Sequence, residues 1–247
     1  MRVRALIVAM VLGVFAAVLN PLTGSARAAD PPTVTLVNHT GGTVWIGAVA
    51  EDGFETATGL PTLEDQESAT VTLPANERGQ WFGKFVPRQR CTGEDGDLHC
   101  QVGDCGPYAD RCSNYKPEPG ASYAEFHFDP DDALGHWYNA SYVDGYSVPV
   151  TVDADVDDPP ETGECSRAGC PEDLMEHCPP DNVVRDPDTD EPVLCQNPDP
   201  DSPDTEYSRS LSEHCPKAYT WSRQDTVPGN DVVRNCTRCS GATVTFH

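Results

Sequence analysis

The chain has 247 residues, with 40 Asp or Glu against 16 Lys or Arg, and a formal net charge of −24. A surface this acidic repels phosphate backbones and anionic lipids, so no nucleic acid is expected as a partner, whereas neutral or cationic ligands such as polysaccharides stay open. Beyond the N-terminus no segment approaches the roughly 20 apolar residues of a spanning helix, so no stable membrane insertion is expected either.

Arg2 and Arg4 precede an uncharged apolar run from Ala5 to Leu19, and Ala26-Arg27-Ala28 follows it. A basic start, an apolar stretch of about 7–15 residues and a small-residue cleavage pattern predict a signal peptide over residues 1–28, hence a secreted, extracellular product. The competing reading is an uncleaved membrane anchor, for which the run is short. The signal holds three arginines and no acid, which takes residues 29–247 to −27.

Short β-like runs come next. Thr33 to Val37 alternates, and Gly41-Gly42 separates it from Thr43-Val44-Trp45-Ile46, a pattern that reads as a hairpin. Ala69 to Leu73 alternates before Pro74, and further strands are expected over Gln80–Val86, Tyr123–Phe128, Ser147–Val152 and Thr243–Phe246. Several short strands with Gly/Pro turns and no sustained helical periodicity predict a mostly β sandwich or barrel. The composition changes after Val152, where residues 153–206 become rich in Asp, Pro and Cys. Two helical fragments are expected there: Pro171–His177, whose Pro-Glu-Asp start suits a first turn, and Glu206–His214. Segments 183–192 and 197–205 carry too little apolar side chain to offset their ordering entropy and read as loops.

All 11 cysteines fall between Cys91 and Cys239. Export makes bridges the default, and the odd number leaves one thiol free or paired between molecules. Cys236-Thr237-Arg238-Cys239 has the spacing of a redox pair or half a zinc site. Without a second such motif or a histidine pair it reads as one bridged cysteine plus a spare. The seven histidines are scattered. Asp186-Pro-Asp188-Thr-Asp190 has part of a calcium-loop spacing but lacks the glycine at position six and the glutamate at twelve. No metal and no cofactor is expected.

The stretch Gly96-Asp97-Leu98-His99-Cys100-Gln101-Val102-Gly103-Asp104-Cys105, ending at Cys112, resembles the thaumatin-family signature, with Val102 where the signature has Thr. Other matching pieces follow the family's order. They include Gly83-Lys84-Phe85-Val86-Pro87-Arg88 before Cys91, Ala124-Glu125-Phe126, Val143-Asp144-Gly145-Tyr146, Glu206-Tyr207-Ser208-Arg209 and Cys215-Pro216-Lys217-Ala218-Tyr219. The resemblance implies a thaumatin-like flattened β-sandwich core, about 31–152 and 216–247, and a disulfide-rich loop lobe with short helices, about 153–215. It also implies the bridges Cys91–Cys100, Cys105–Cys112, Cys170–Cys215, Cys178–Cys195, and Cys165 with Cys236 or Cys239. The family's terminal bridge would join the positions of Thr40 and His247, and both cysteines are absent.

Members of this family have an acidic cleft between sandwich and loop lobe. Carried over one at a time, its arginine falls on Arg88, its glutamate on Glu125, one aspartate on Asp144, and the late aspartate on Asp225, with Gln224 competing. The remaining aspartate falls on Asn139, an amide that cannot exchange a proton at neutral pH. Around these stand Trp137, Tyr138, Tyr142 and Tyr146, aromatic platforms suited to the apolar faces of sugars if they face outward. On an alternating strand about half of them would face the core; Tyr146 is taken as a cleft residue.

Three functions follow as expectations. The first is binding of β-1,3-glucan or a related neutral cell-wall polysaccharide, with an antifungal role, by a monomer. The second is weak endo-β-1,3-glucanase activity with Glu125 as acid and Asp144 as its partner, because glycoside hydrolysis usually takes two carboxyl groups. The third is a non-catalytic inhibitor or stress-protective extracellular protein.

Overall fold

A computed structural model describes residues 31–247 except Tyr115 and Pro119, so the expected signal peptide lies outside the described residues. The first half of the chain supplies β1 (Thr33–Asn38), β2 (Val44–Ala50), β3 (Thr62–Leu63), β4 (Ser68–Thr72), β5 (Trp81–Thr92), β6 (His99–Val102), β7 (Tyr123–Phe128) and β8 (His136–Ser141). The second half supplies β9 (Gly145–Tyr146), β10 (Val150–Ala154), β11 (Ala168–Gly169), β12 (Val183–Arg185), β13 (Pro192–Gln196), β14 (Ala218–Tyr219), β15 (Arg234–Cys236) and β16 (Gly241–Phe246). Among the described residues one α-helix, α1 (Glu206–His214), interrupts them.

Two sheets form the sandwich. One has the order β11-β10-β16-β1-β4; the other runs β14-β8-β7-β5-β2-β3, with β15 added on β8 and β6 on β5. Period-two alternation explains the core between them. Val34, Leu36, Val244 and Phe246 point inward from the first sheet, and Ile46, Ala48, Phe85, Phe126 and Phe128 meet them from the second. β9, β12 and β13 make a separate three-stranded sheet in the loop region.

The hairpin expected at Gly41-Gly42 does not form. β1 lies between β16 and β4 in one sheet, while β2 lies between β3 and β5 in the other. The turn crosses between sheets because the buried Asn38 side chain ties it. Its Nδ2 donates to Gly42 O and Leu63 O, and its Oδ1 accepts from the Thr40 amide and hydroxyl.

Other expectations shift at their edges. β5 continues past Pro87 to Thr92 because β6 folds back on it, Cys91 opposite Cys100. β10 starts only at Val150, since the Ser122 hydroxyl accepts from the amides of Ser147 and Val148 and bends the chain there. The first helical fragment shrinks to one 3-10 turn, Met175–His177. The second forms over its full expected length, with Thr205 Oγ1 accepting from the Ser208 amide as N-cap. Segment 183–192 is not wholly loop: β12 pairs with β13. Asp186 closes the turn between them, its Oδ1 accepting from the amides of Asp188 and Thr189 and its Oδ2 from Arg90 Nη1. Both oxygens of the calcium-like loop's first acid are therefore engaged within the chain.

Five disulfides join Cys91–Cys100, Cys105–Cys112, Cys165–Cys236, Cys170–Cys215 and Cys178–Cys195, and Cys239 stays a free, buried thiol. Cys236 takes the long bridge because β15 lies beside the Cys165 turn, where the Cys165 amide donates to Asn235 O. The positions of the missing terminal bridge sit just past paired strand ends. Asn38 is in register with Phe246, and the His39 and His247 rings meet edge-on with centroids 6.2 Å apart.

Candidate ligand-binding cleft

The cleft is built on one face of β5, β7 and β8. Their antiparallel register sets Lys84 opposite Glu125 and Glu125 opposite Asn139, making one row of polar side chains across three strands. The next row along the strands is Phe82, His127 and Trp137. Alternation sends the residues between them the other way, so Phe85, Phe126, Tyr138 and Ala140 belong to the core. The same parity that buries Phe126 therefore presents Glu125.

Above this floor opens a cavity of about 960 Å³. Asp144, Arg223 and Asp225 line it together with Tyr219 of β14, which extends the same sheet beside β8, and the acids Glu51, Asp52, Asp129 and Asp132 also belong to the lining. Asp225 rather than Gln224 belongs to the lining. The two are consecutive in a 3-10 turn, and Gln224 is buried with its Oε1 accepting from the Thr220 amide, which leaves Asp225 facing the cavity.

Burial pushes the Glu125 carboxyl above the usual range, against the opposing pull of Lys84 and of the Asn139 amide; the Asp144 charge adds to the upward shift. Lys84 Nζ lies 3.9 Å from Asp144 Oδ2 and 4.0 Å from the centre of the Tyr123 ring, so it is shared between a carboxylate and an aromatic face. The Tyr219 hydroxyl is also pushed up, first by burial and then by Asp225. Two buried polar atoms of the lining, Tyr123 Oη and Asn139 Oδ1, make no hydrogen bond.

The structure thus brings Glu125, Asn139, Asp144 and Asp225 to one cavity and leaves out two residues expected there. Arg88 is 0 % exposed and is held by main-chain carbonyls. Its Nη1 donates to Tyr108 O at 2.7 Å, its Nη2 to Ala109 O at 2.6 Å, and its Nε to Trp45 O at 3.2 Å. It shares strand parity with Lys84 but lies four residues, about 13 Å, further along β5, under the Cys105–Cys112 loop. Lys84 is the β5 cation in the cleft, and its shared parity with Arg88 left the sequence no signal for choosing it. Tyr146 is likewise in the core. Its hydroxyl donates to Asp173 Oδ1 and accepts from the Leu174 amide, and its ring packs edge-on against Tyr142. Tyr138 also borders the cavity but sends its hydroxyl to Ser166 O, and Tyr142 accepts from the Val150 amide, so of the four aromatics Trp137 is the one in the outward row of the floor.

Sequence reasoning also passed over Tyr123, His127 and Tyr219, which the register brings to the lining. No group of three or more potential metal ligands occurs among the described residues, and no helix among them is long and apolar enough to cross a membrane.

The thaumatin family model matches residues 38–247. The chain is 33 % identical over 223 residues to pathogenesis-related thaumatin-like protein 3.5 of Cryptomeria japonica, covering 83 % of this chain and 87 % of that one. It is 31 % identical to pathogenesis-related protein 5 of Arabidopsis thaliana, over 77 % and 82 % of the two chains. Thaumatin-like protein 1a of Malus domestica is 29 % identical over 88 % and 90 %. Among solved structures, the thaumatin-like xylanase inhibitor aligns with a TM-score of 0.48 and 14 % identity over 86 % of this chain and 97 % of that one, a distance at which nothing functional transfers. With five disulfides, two stacked sheets and a family match over 210 consecutive residues, this chain belongs to the thaumatin family.

Proposed function

We propose that this protein is secreted and binds a neutral cell-wall polysaccharide of the β-1,3-glucan class through the cleft of Lys84, Glu125, Asn139, Asp144 and Asp225, with an antifungal role. The observation that carries the reading is the in-register row Lys84–Glu125–Asn139 on the floor of a large cavity. Carboxylates and an amide accept hydrogen bonds from hydroxyls, the lysine donates, and the surrounding acids repel anionic ligands. Five disulfides fit an oxidising, extracellular setting. Relatives named as pathogenesis-related fit a role in defence. Retention on insoluble β-1,3-glucan, compared between wild type, Glu125→Gln and Asp144→Asn, tests it. Both variants should be retained less, and equal retention of all three would take the cleft out of the reading.

A second reading, weak endo-β-1,3-glucanase activity, draws on one observation. The Glu125 carboxyl is held toward its protonated form, as a general acid requires, with Asp144 as the partner carboxylate. Asn139 removes the other carboxylate that could activate water. Reducing ends released from laminarin at a rate above the Glu125→Gln background would support hydrolysis, and turnover no higher than that background would end it.

A further inference from the structure

We infer that Tyr123 reads the ligand. Its phenol hydroxyl and Asn139 Oδ1 form a hydroxyl-recognition subsite for an uncharged polyol, which makes the cleft select neutral over uronic-acid polymers. The inference rests on the polysaccharide reading of the cleft.

Tyr123 is 1 % exposed, its ring packed among Val86, Val102 and Leu194 with Lys84 Nζ over one face. The Asp144 carboxylate and the Ala121 amide lie nearby, yet neither closes a hydrogen bond of normal geometry with its hydroxyl. A buried polar atom left unpaired destabilises the fold, and phenylalanine would fill this space without that penalty. Tyr123 is among the residues that line the cavity, and its hydroxyl is buried there without a partner of normal geometry.

Asn139 Oδ1 is the second unpaired atom. Tyr123 faces Ser141 and Glu125 faces Asn139, so Tyr123 and Asn139 are diagonal neighbours on β7 and β8. Their separation, about 7–8 Å between backbones, is comparable to the width of one sugar ring with its substituents. Asn139 Oδ1 can only accept, so whatever meets it must donate. Tyr123 Oη can do either. A sugar hydroxyl supplies both functions, whereas a ligand carboxylate offers no donor at neutral pH and meets Asp144 and Glu125.

Tyr123→Phe is the test, with two readouts: thermal stability without ligand, and affinity for soluble laminarin, with polygalacturonate as the anionic control. The expected result is an unchanged or higher Tm and an affinity for laminarin about five- to tenfold weaker, with polygalacturonate bound by neither protein. Equal laminarin affinity in the two proteins would overturn the subsite while leaving the polysaccharide reading intact. A Tm lowered by several degrees would show that the hydroxyl is satisfied within the fold, and would also overturn it. Binding of polygalacturonate by the wild type would remove the selectivity. Wild type that binds no laminarin would instead remove the polysaccharide reading, and the subsite with it.

Discussion

Glu125 and Asn139 stand directly opposite each other on β7 and β8, a half-buried carboxyl held toward its protonated form facing an amide that never ionises. The pairing lets one acid sit on the cleft floor without a like charge across the strand. Asn139→Asp would place a second carboxylate there, and the two would then titrate as a coupled pair. The variant should melt below the wild type at neutral pH, with the gap closing as pH falls. Melting curves across the acid range check this, and a gap independent of pH would contradict it.

Glu125 itself gives a signed pH prediction. Its folded-state pKa lies above the ordinary carboxylate value near 4.3, so the stabilising contribution belongs to the protonated form. That contribution is fully present below the ordinary value and is lost as pH rises through the folded one. Glu125→Gln imitates the protonated form at every pH. Its Tm should match the wild type in acid and exceed it at neutral pH; the reverse order would show that the charged form is the favoured one.

Arg88 separates structure from binding. Its guanidinium satisfies carbonyls of Trp45, Tyr108 and Ala109 and so ties the Cys105–Cys112 loop to β2. Arg88→Met would leave these acceptors without their donor at a cost of about 3 kcal/mol or more, judged from buried hydrogen bonds to charged groups. Chemical denaturation should show that loss, while retention of the folded variant on glucan stays at the wild-type level. Weakened retention with unchanged stability would put Arg88 back into the binding machinery.

Much of this was legible in the sequence, and the failures share a cause. The bridges were implied by the family resemblance, with the partner of Cys165 left open between Cys236 and Cys239, and α1 followed from Glu206–His214, whose signal is written in residues close together in the chain. Asn38 decides that Gly41-Gly42 crosses between sheets, but it does so by bonding Leu63 O, a partner 25 residues away. Lys84 and Arg88 share parity on β5, so alternation alone could not say which one a loop covers. The Trp137/Tyr138 parity was visible, but its direction needed β7 as a neighbour. Unpaired atoms such as Tyr123 Oη have no sequence signal at all.

The Cys165–Cys236 bridge spans 71 residues, the longest separation of the five. Replacing both cysteines by serine should cost about 4 kcal/mol on the chain-entropy model, against about 2.6 for the nine-residue Cys91–Cys100 loop. Cys239→Ser should leave all five bridges in place in a non-reducing peptide map. A map of that variant missing the Cys165–Cys236 peptide would reassign the long bridge to Cys239.

The cleft as the place of binding is tested most directly by NMR chemical-shift mapping of the labelled protein with a short β-1,3-linked glucose oligomer. Shifts should concentrate on Lys84, Tyr123, Glu125, Asn139, Asp144 and the 219–226 turn region, and titrate with a single affinity. Shifts confined to the β1–β4–β16 sheet, or none at saturating oligomer, would contradict it.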